Sequence, residues 1–230
     1  MSTILSSLQI KRKILSLLAI SNLFIFTTTA KAEETLIIGA IPDQNPEQLN
    51  RLYKVLSSEL SKTLDVQVEY KPVINYAMAV TAFKTGNLDL VWFGGLTGVQ
   101  ARLQTEGAKV LVQRDIDAKF RSVFIANRRS SINKLNDIND LQLLKGKRFT
   151  FGSESSTSGR LMPQYFLNKA SVKITDFKGG RSGFSGSHDA TLALVQSGSY
   201  DVGALNEQVW ESNIKRDRVD PTKVFVIWRT

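Results

Sequence analysis

Short apolar runs alternate with helix-like segments along most of the chain, and this alternation restricts the fold more than any other feature. The run "TLIIGAIP" is continuously apolar and closed by Pro42, as expected of a strand buried on both faces. The next segment, "PEQLNRLYKVLSSELSKTL", has apolar residues at helical spacing: Leu49, Leu52, Tyr53, Leu56 and Leu60. "VQVEYKPV", "NYAMAVTAFKTG", "LDLVWFGG" and "TGVQARLQTEG" continue the series as strand, helix, strand and helix. The pattern predicts a parallel α/β sheet.

A second α/β segment begins near Phe120. "RSVFIAN" is predicted to be a strand that crosses between two lobes, and "SINKLNDINDLQLLKG" a loop with a short helix. This segment continues with three more predicted strands, two helices and a glycine-rich loop. In chain order they are the strand "KRFTFG", the loop "FKGGRSGFSGS", the helix "HDATLALVQSG", the strand "YDVGALN", the helix "EQVWESNIKR" and the strand "KVFVIWRT". A chain of 230 residues is long enough for one or two modest domains. We therefore predict a first lobe at 33–119, a second lobe at 120–223 and a return crossing strand at 224–230.

The first 32 residues have the organisation of a secretory signal peptide. Lys11, Arg12 and Lys13 precede the apolar residues 14–26, and "AKA" follows as a cleavage site. A membrane anchor is the alternative, but a span needs about 20 apolar residues, and this run is interrupted by Ser16, Ser21 and Asn22. We expect a periplasmic mature chain that starts at Glu33. The sequence contains no cysteine, which excludes a lipoprotein anchor at the mature N-terminus and any disulfide.

The charge of the chain is mildly positive once the leader is removed. The formal net charge is +9, and the leader carries four basic residues and no acidic one, which leaves 26 basic and 21 acidic residues, or +5. The basic residues are scattered, and pairs such as Arg128 and Arg129 are typical of solvated loops. This distribution does not indicate a nucleic-acid partner, whereas it suits a small anionic ligand.

A cluster of hydroxyl side chains lies between a strand and a helix in "FGSESSTSGRLMPQYFL". The helix is expected to begin near Ser158 or Gly159, because Pro163 is tolerated only near a first turn. Ser156, Thr157 and Ser158 then lie at a helix N-terminus, where free backbone N–H groups and the helix dipole favour an anion. Ordinary N-capping is the alternative, but it requires only one hydroxyl. The surplus favours anion binding.

His188, the only histidine, begins another predicted helix after the glycine-rich loop, so Ser187 or His188 could donate to the same anion. One histidine and no cysteine predict no metal site and no cofactor. A Ser-His-Asp hydrolase is an alternative. However, no serine lies in a G-x-S-x-G elbow, and Asp189 is adjacent in sequence, where it would not orient the imidazole. We therefore assign no catalytic residue. The chain also lacks the Gly-Lys-Ser/Thr of a phosphate loop and the G-x-G-x-x-G spacing of a dinucleotide fold.

Two further strand ends are candidate ligand contacts. Tyr76 opens the helix "YAMAVTAF" after a strand, and Gly94, Gly95 and Thr97 follow the buried strand "LDLVWFGG". Ordinary packing and turn formation would also explain these residues. In open α/β sheets, however, ligands bind beyond the carboxyl ends of the strands. Strand ends from two lobes would then converge on one cleft.

The stretches "GKRFTFGSESSTSGRLMPQYFL", "FSGSHDATLALVQSGSYDVGALN" and "LDLVWFGG" resemble the periplasmic substrate-binding proteins of phosphate, phosphite and phosphonate ABC importers. "IPDQN", "WFGGLTGVQARL" and "VGALNEQVW" are similar to a branch associated with selenate import. The resemblance implies a type II, two-lobed α/β protein whose cleft closes on a small oxyanion. It also implies a monomer without enzymatic activity that delivers its ligand to a membrane permease and its ATPase. By motif, Ser156, Thr157, Ser158, His188 and Tyr76 correspond to ligand-contacting residues.

Three positions depart from the family pattern. Asn75 replaces the usual Asp before Tyr76, Gly98 stands where Tyr is expected, and Asn206, which we include among the ligand-binding residues, replaces an Asp. A carboxylate accepts a hydrogen bond from a protonated oxyanion but repels a full dianion, whereas an amide offers an NH₂ donor. We therefore keep selenate or sulfate as an alternative ligand class.

The end of the chain raises two further expectations. The last predicted strand stops at Thr230, whereas the resembling proteins return to the first lobe and add several more elements. We expect an incomplete first lobe and a missing C-terminal part. A periplasmic sensor domain is a third functional alternative, and it would require a downstream transmembrane segment.

Overall fold

The computed structural model describes residues 35–230, and the predicted signal peptide lies outside this range. The first part of the chain forms a parallel sheet in the order β2-β1-β3. Its strands are β1 (Thr35–Ala40), β2 (Gln67–Tyr70) and β3 (Leu90–Trp92), and its helices are α1 (Pro46–Leu64), α2 (Tyr76–Lys84) and α3 (Gly95–Gln104). Ile38 of β1 pairs with Tyr70 on one side and Leu90 on the other, so the apolar β1 is the central strand, as its sequence predicts.

The second part forms a mixed sheet in the order β6-β5-β7-β4-β8. Its strands are β4 (Ser122–Asn127), β5 (Phe149–Phe151), β6 (Gly183–Phe184), β7 (Val202–Asn206) and β8 (Val224–Arg229). The helices are α4 (Met162–Lys169), α5 (His188–Ser197) and α6 (Glu207–Lys215). Short 3₁₀ segments cover 115–119, 128–130, 138–144, 174–176 and 178–180, and a π-helical turn covers 157–161. We call residues 35–104 the first lobe and residues 122–229 the second lobe.

The predicted alternation of strands and helices is confirmed, and the protein is an α/β protein. A purely parallel arrangement is wrong for the second lobe, because β4 runs antiparallel to both β7 and β8. The strands β7 and β8, joined through α6, are therefore parallel to each other with β4 inserted between them. β8 ends beside the start of β4, where the Thr230 backbone N–H donates to the Ser122 carbonyl at 3.1 Å. The glycine-rich loop also contributes the short edge strand β6.

The two lobes have separate hydrophobic cores of different size. The second-lobe core is rich in aromatic side chains, and the rings of Phe149 and Phe177 stack with their centroids 4.6 Å apart. Phe124 and Phe151 are also fully buried there. The main first-lobe core is smaller and consists of buried residues from β1, α1 and β2: Ile38, Ala40, Leu49, Tyr53 and Val68. The carboxyl ends of β1, β5 and β7 lie at the junction of the lobes.

The predicted domain limits, 33–119, 120–223 and 224–230, stay predictions. Within residues 35–230, no helix is long and apolar enough to cross a membrane.

Candidate functional site

Helix N-termini from both lobes meet at the lobe junction. The Leu96 N–H, in the first turn of α3, donates to the Thr157 hydroxyl oxygen at 2.8 Å and so joins the first lobe to the π-helical turn. Nε2 of His188, the first residue of α5, lies 3.5 Å from the Ser158 hydroxyl oxygen. The Asn206 N–H, at the N-cap of α6, donates to Nδ1 of the same imidazole at 3.4 Å. The positive ends of these helix dipoles favour a negative charge here.

The π-helical turn gives the hydroxyl cluster its shape. The Ser156 hydroxyl oxygen caps the turn by accepting from the Gly159 N–H at 2.9 Å, and the Leu161 N–H donates to the Ser156 carbonyl at 3.0 Å. A Cβ on Gly159 would lie 3.0 Å from the Ser156 hydroxyl oxygen and 3.1 Å from Gly152 Cα. Glycine is favoured at 159 because two backbone segments approach each other closely there. The helical conformation begins at Thr157, slightly earlier than predicted, and Pro163 lies in the first turn of α4.

The three predicted hydroxyls have three different surroundings. Ser156 caps the turn, and Thr157 accepts the cross-lobe bond from Leu96. Ser158 is 2% exposed and lies against His188. Ser156 and Thr157 act as acceptors in these bonds, and a hydroxyl keeps one proton to donate. The cluster therefore has the hydroxyl donors that an anion requires.

His188 is buried and held as a neutral donor. Because Nδ1 accepts from the Asn206 N–H, the ring proton is assigned to Nε2, which faces Ser158. Burial lowers the pKa of His188 to about 4, against an opposing effect of Asp189. A protonated Nε2 cannot accept the Ser158 proton, and the backbone, not a carboxylate, bonds to Nδ1. This geometry does not support a Ser-His-Asp hydrolase.

Tyr76 contributes a second buried donor. Its side chain is 2% exposed, and its hydroxyl forms no hydrogen bond to another part of residues 35–230. Burial raises the pKa of this hydroxyl well above its ordinary range, and the Asp43 carboxylate raises it further. Tyr76 therefore keeps its proton at neutral pH.

The predicted contacts lie at the start of α3, with Gly94 as its N-cap and Gly95 and Thr97 in its first turn. The Thr97 hydroxyl accepts from the Gly94 N–H at 3.0 Å and donates to the Gly94 carbonyl at 3.1 Å, so it is used within its own helix. A Cβ on Gly95 would lie 3.3 Å from the Thr157 hydroxyl oxygen. The glycines thus permit the close approach of the two lobes.

Both asparagines that depart from the family pattern are helix N-caps. The Asn75 side-chain oxygen accepts from the Met78 N–H at 2.8 Å, and Asn75 is exposed. The Asn206 side-chain oxygen accepts from the Val209 N–H at 3.1 Å, and Asn206 is 7% exposed. An aspartate would cap equally well. Of the two, only Asn206 is buried and in contact with His188. Its side-chain oxygen is used in the cap, and its NH₂ group remains as a donor.

Asp43 is a residue of this junction that sequence analysis missed. It follows β1, and its carbonyl accepts from the His188 N–H at 2.9 Å. Burial raises the pKa of its carboxyl group to about 6, opposed by its own backbone N–H, Gln44 and Arg114. Asp43 could have been identified from the sequence by its position, because it is an acid just beyond a central strand, where ligands of α/β sheets bind.

Two α/β lobes with a donor-rich junction define the class of two-lobed solute-binding proteins. Among the described residues, no group of His, Cys, Asp and Glu side chains is arranged to hold a metal. Residues 38–230 match the family described as "ABC transporter, phosphonate, periplasmic substrate-binding protein", and the chain belongs to that family.

Relatives of known name support this assignment. The chain is 58% identical over 197 residues to the "Probable ABC transporter phosphite binding protein PhnD1" of Prochlorococcus marinus (strain MIT 9301), and 29% identical over 230 residues to the "Phosphonates-binding periplasmic protein" of Escherichia coli (strain K12). These matches cover 86% and 95% of this chain, and 66% of each relative. A solved structure of the Prochlorococcus protein with methylphosphonate matches with a TM-score of 0.84 and 57% identity, over 86% of this chain and 73% of that one. These relatives are substrate-binding proteins and not enzymes.

Proposed function

We propose that this protein is the extracytoplasmic solute-binding component of an ABC importer. It captures a small tetrahedral oxyanion of the phosphonate, phosphite or phosphate class. As a monomer, it then delivers the anion to a membrane permease that works with an ATPase. It binds its ligand without transforming it.

The observation that carries this proposal is a set of neutral donors at the lobe junction. His188 Nε2–H, the Ser158 hydroxyl and the Tyr76 hydroxyl belong to side chains that are at most 4% exposed, and they lie with helix N-termini from both lobes. Neutral donors and helix dipoles bind an anion without a buried cation. Because the donors come from both lobes, an anion bound there would hold the lobes together.

The phosphorus oxyanions are the preferred ligand class for two reasons. The Prochlorococcus relative is named for phosphite, and its solved structure contains methylphosphonate. In addition, Asp43 places a carboxyl group at the junction, and a carboxylate tolerates a protonated oxyanion better than a full dianion.

Selenate or sulfate is the alternative class, and the NH₂ group of buried Asn206 favours it. Asn75 does not add to this argument, because it is exposed and caps α2. Of the two asparagines that depart from the family pattern, only Asn206 therefore supports selenate or sulfate as the ligand.

Titration calorimetry of residues 33–230 against methylphosphonate, phosphite, phosphate, sulfate and selenate tests the proposal. We expect micromolar binding of at least one phosphorus oxyanion and much weaker binding of sulfate and selenate. Binding of selenate or sulfate alone would move the assignment to the alternative class. If the chain has a cooperative thermal transition but binds none of the five anions, the proposed function is wrong.

A further inference from the structure

Two hydrogen bonds of opposite direction join the lobes beside the candidate site. The His188 N–H of the second lobe donates to the Asp43 carbonyl of the first lobe at 2.9 Å. The Asn45 N–H of the first lobe donates to the Asp189 carboxylate of the second lobe at 2.7 Å. The first turn of α5 and the 43–45 turn thus each donate once and accept once. We call this pair of bonds the reciprocal clamp.

The Asp189 carboxylate is fixed on both of its oxygens. One oxygen accepts from the Asn45 N–H, and the other accepts from the Asn213 side-chain NH₂ at 2.7 Å. Asn213 is 5% exposed, and its NH₂ group also donates to the Val209 carbonyl at 2.9 Å. The second lobe therefore orients the carboxylate before it meets the first lobe.

The position of Asp189 is also favourable electrostatically. It lies in the first turn of α5, and the N–H group that it accepts from across the junction belongs to Asn45, the N-cap residue of α1. A negative charge near two helix N-termini is stabilised by both dipoles, and a bond from an N–H to a carboxylate is stronger than a neutral one.

The reciprocal clamp is one of several cross-lobe contacts. It differs from the others because it joins two residues of the candidate site, Asp43 of the first lobe and His188 of the second. Arg216 donates to the Gln48 side-chain oxygen further along α1, and the Leu96 N–H donates to Thr157 on the other flank. In the clamp, the same backbone that carries His188 is bonded to Asp43. Movement of the lobes away from each other must therefore break both bonds of the reciprocal clamp.

We propose that Asp189 is a positioning residue that couples closure of the lobes to the placement of His188. This inference rests on the proposed function for its ligand, but the clamp itself acts with or without an anion. Asp189 does not contact the ligand. It stabilises the arrangement in which the two lobes are bonded to each other at the backbone of His188 and at the neighbouring Asp189.

The closing experiment measures the distance between the lobes. The natural chain has no cysteine, so Lys54→Cys and Lys173→Cys, both at exposed positions on opposite lobes, accept a pair of spin labels or fluorophores. Without added anion, we expect Asp189→Ala to deplete the short-distance population about fivefold or more, because a charge-assisted bond across the junction is lost. An unchanged distance distribution would overturn the proposal.

Two further variants separate closure from general stability. Asp140 also accepts two backbone N–H bonds, from Asn136 at 2.8 Å and Asp137 at 3.1 Å, but both lie within the second lobe. Asp140→Ala should therefore lower the unfolding temperature without changing the lobe distance. Asp189→Asn keeps one side-chain acceptor and should restore part of the short-distance population. A shift of the distance in Asp140→Ala equal to that in Asp189→Ala would contradict a specific role for Asp189.

Titration with methylphosphonate distinguishes this inference from the proposed function. We expect Asp189→Ala to bind it at least about tenfold more weakly than the natural chain. If the natural chain binds no phosphorus oxyanion, the proposed function fails, and the ligand-free distances still decide the role of Asp189. If Asp189→Ala binds methylphosphonate as tightly as the natural chain, the coupling is wrong although the proposed function stands.

Discussion

Two poorly solvated titratable side chains, the buried His188 and the partly buried Asp43, lie at the lobe junction with opposite shifts of their pKa. Burial lowers the pKa of His188 to about 4 and raises the pKa of Asp43 to about 6, because a poorly solvated site disfavours the charged form of either group. The two residues are joined by the bond from the His188 N–H to the Asp43 carbonyl. Between pH 4 and pH 6, the neutral form of each side chain therefore predominates.

Asp43→Asn should change how stability depends on pH. The carboxyl pKa is higher in the folded chain than its usual 3.8, so this group's favourable contribution is complete below about pH 4 and is lost as pH rises through about 6. The free energy of unfolding that is lost over this pH range is at most about 3 kcal/mol, because one pKa unit corresponds to about 1.4 kcal/mol. Solvent partly reaches the side chain, so this figure is an upper limit. The amide of the variant cannot ionise, so the variant should gain stability relative to the natural chain between pH 4 and pH 7. Urea unfolding at both pH values measures this gain.

The matched control for this prediction is Asp115→Asn, an exposed acid of the segment that joins the lobes. His188 has the opposite pH dependence, with stability lost as pH falls below 6.5 toward 4, but it is present in every variant and its effect cancels in the comparison. A gain for Asp43→Asn that does not change with pH would show that the carboxyl group titrates normally.

Within the hydroxyl cluster, neighbouring serines are expected to have separable roles. The Ser156 hydroxyl caps the π-helical turn through the Gly159 N–H, so Ser156→Ala should lower the free energy of unfolding by about 1 kcal/mol. The Ser158 hydroxyl has only a long contact of 3.5 Å with His188, so Ser158→Ala should leave stability nearly unchanged and weaken methylphosphonate binding about tenfold. Thermal unfolding and titration calorimetry of both variants check this. Equal losses of stability and affinity in the two variants would contradict the assignment.

The sequence predicts elements more reliably than it predicts their partners. Continuous apolar runs identify β1, β4 and β7, because β4 and β7 are buried on both faces and β1 is buried in its second half. No comparable sequence pattern predicts that β4 lies between β7 and β8 and runs antiparallel to both. The direction of a strand in a sheet depends on the path of the connecting segments, which the apolar pattern of the strand does not show.

At the candidate site, the sequence likewise predicts which side chains lie at helix starts but not which groups they bond to. The positions of Ser156, Ser158 and His188 at helix N-termini are predictable from turn and capping residues. Whether a hydroxyl or amide caps its own helix, as Thr97 and Asn75 do, depends on a rotamer that the sequence does not encode. The contribution of Asp43 was missed because a single acid after a strand has no periodic pattern.

At the scale of the whole molecule, the two lobes are unequally stabilised. The second lobe encloses a large aromatic core on a five-stranded sheet, whereas the first lobe has a three-stranded sheet and a smaller core. Apolar side chains are exposed in α3 and in the segment that follows it: Leu103, Val110, Leu111 and Val112. Since buried apolar surface is the main source of stability, the first lobe should open more readily than the second.

Hydrogen exchange of the chain provides the measurement. We expect backbone amides of β1 and β2 to exchange at least about tenfold faster than those of β4 and β7, which corresponds to a difference of about 1.4 kcal/mol in opening free energy. Because the reciprocal clamp joins the 43–45 turn to α5, methylphosphonate should slow exchange in the first lobe more than in the second. Asp189→Ala should abolish most of that first-lobe protection, while Asp140→Ala should retain it. Equal exchange rates in both lobes would contradict this prediction, because they would mean that the lobes unfold as one cooperative unit. The cross-lobe bonds would then contribute as much stability to the first lobe as its own core does.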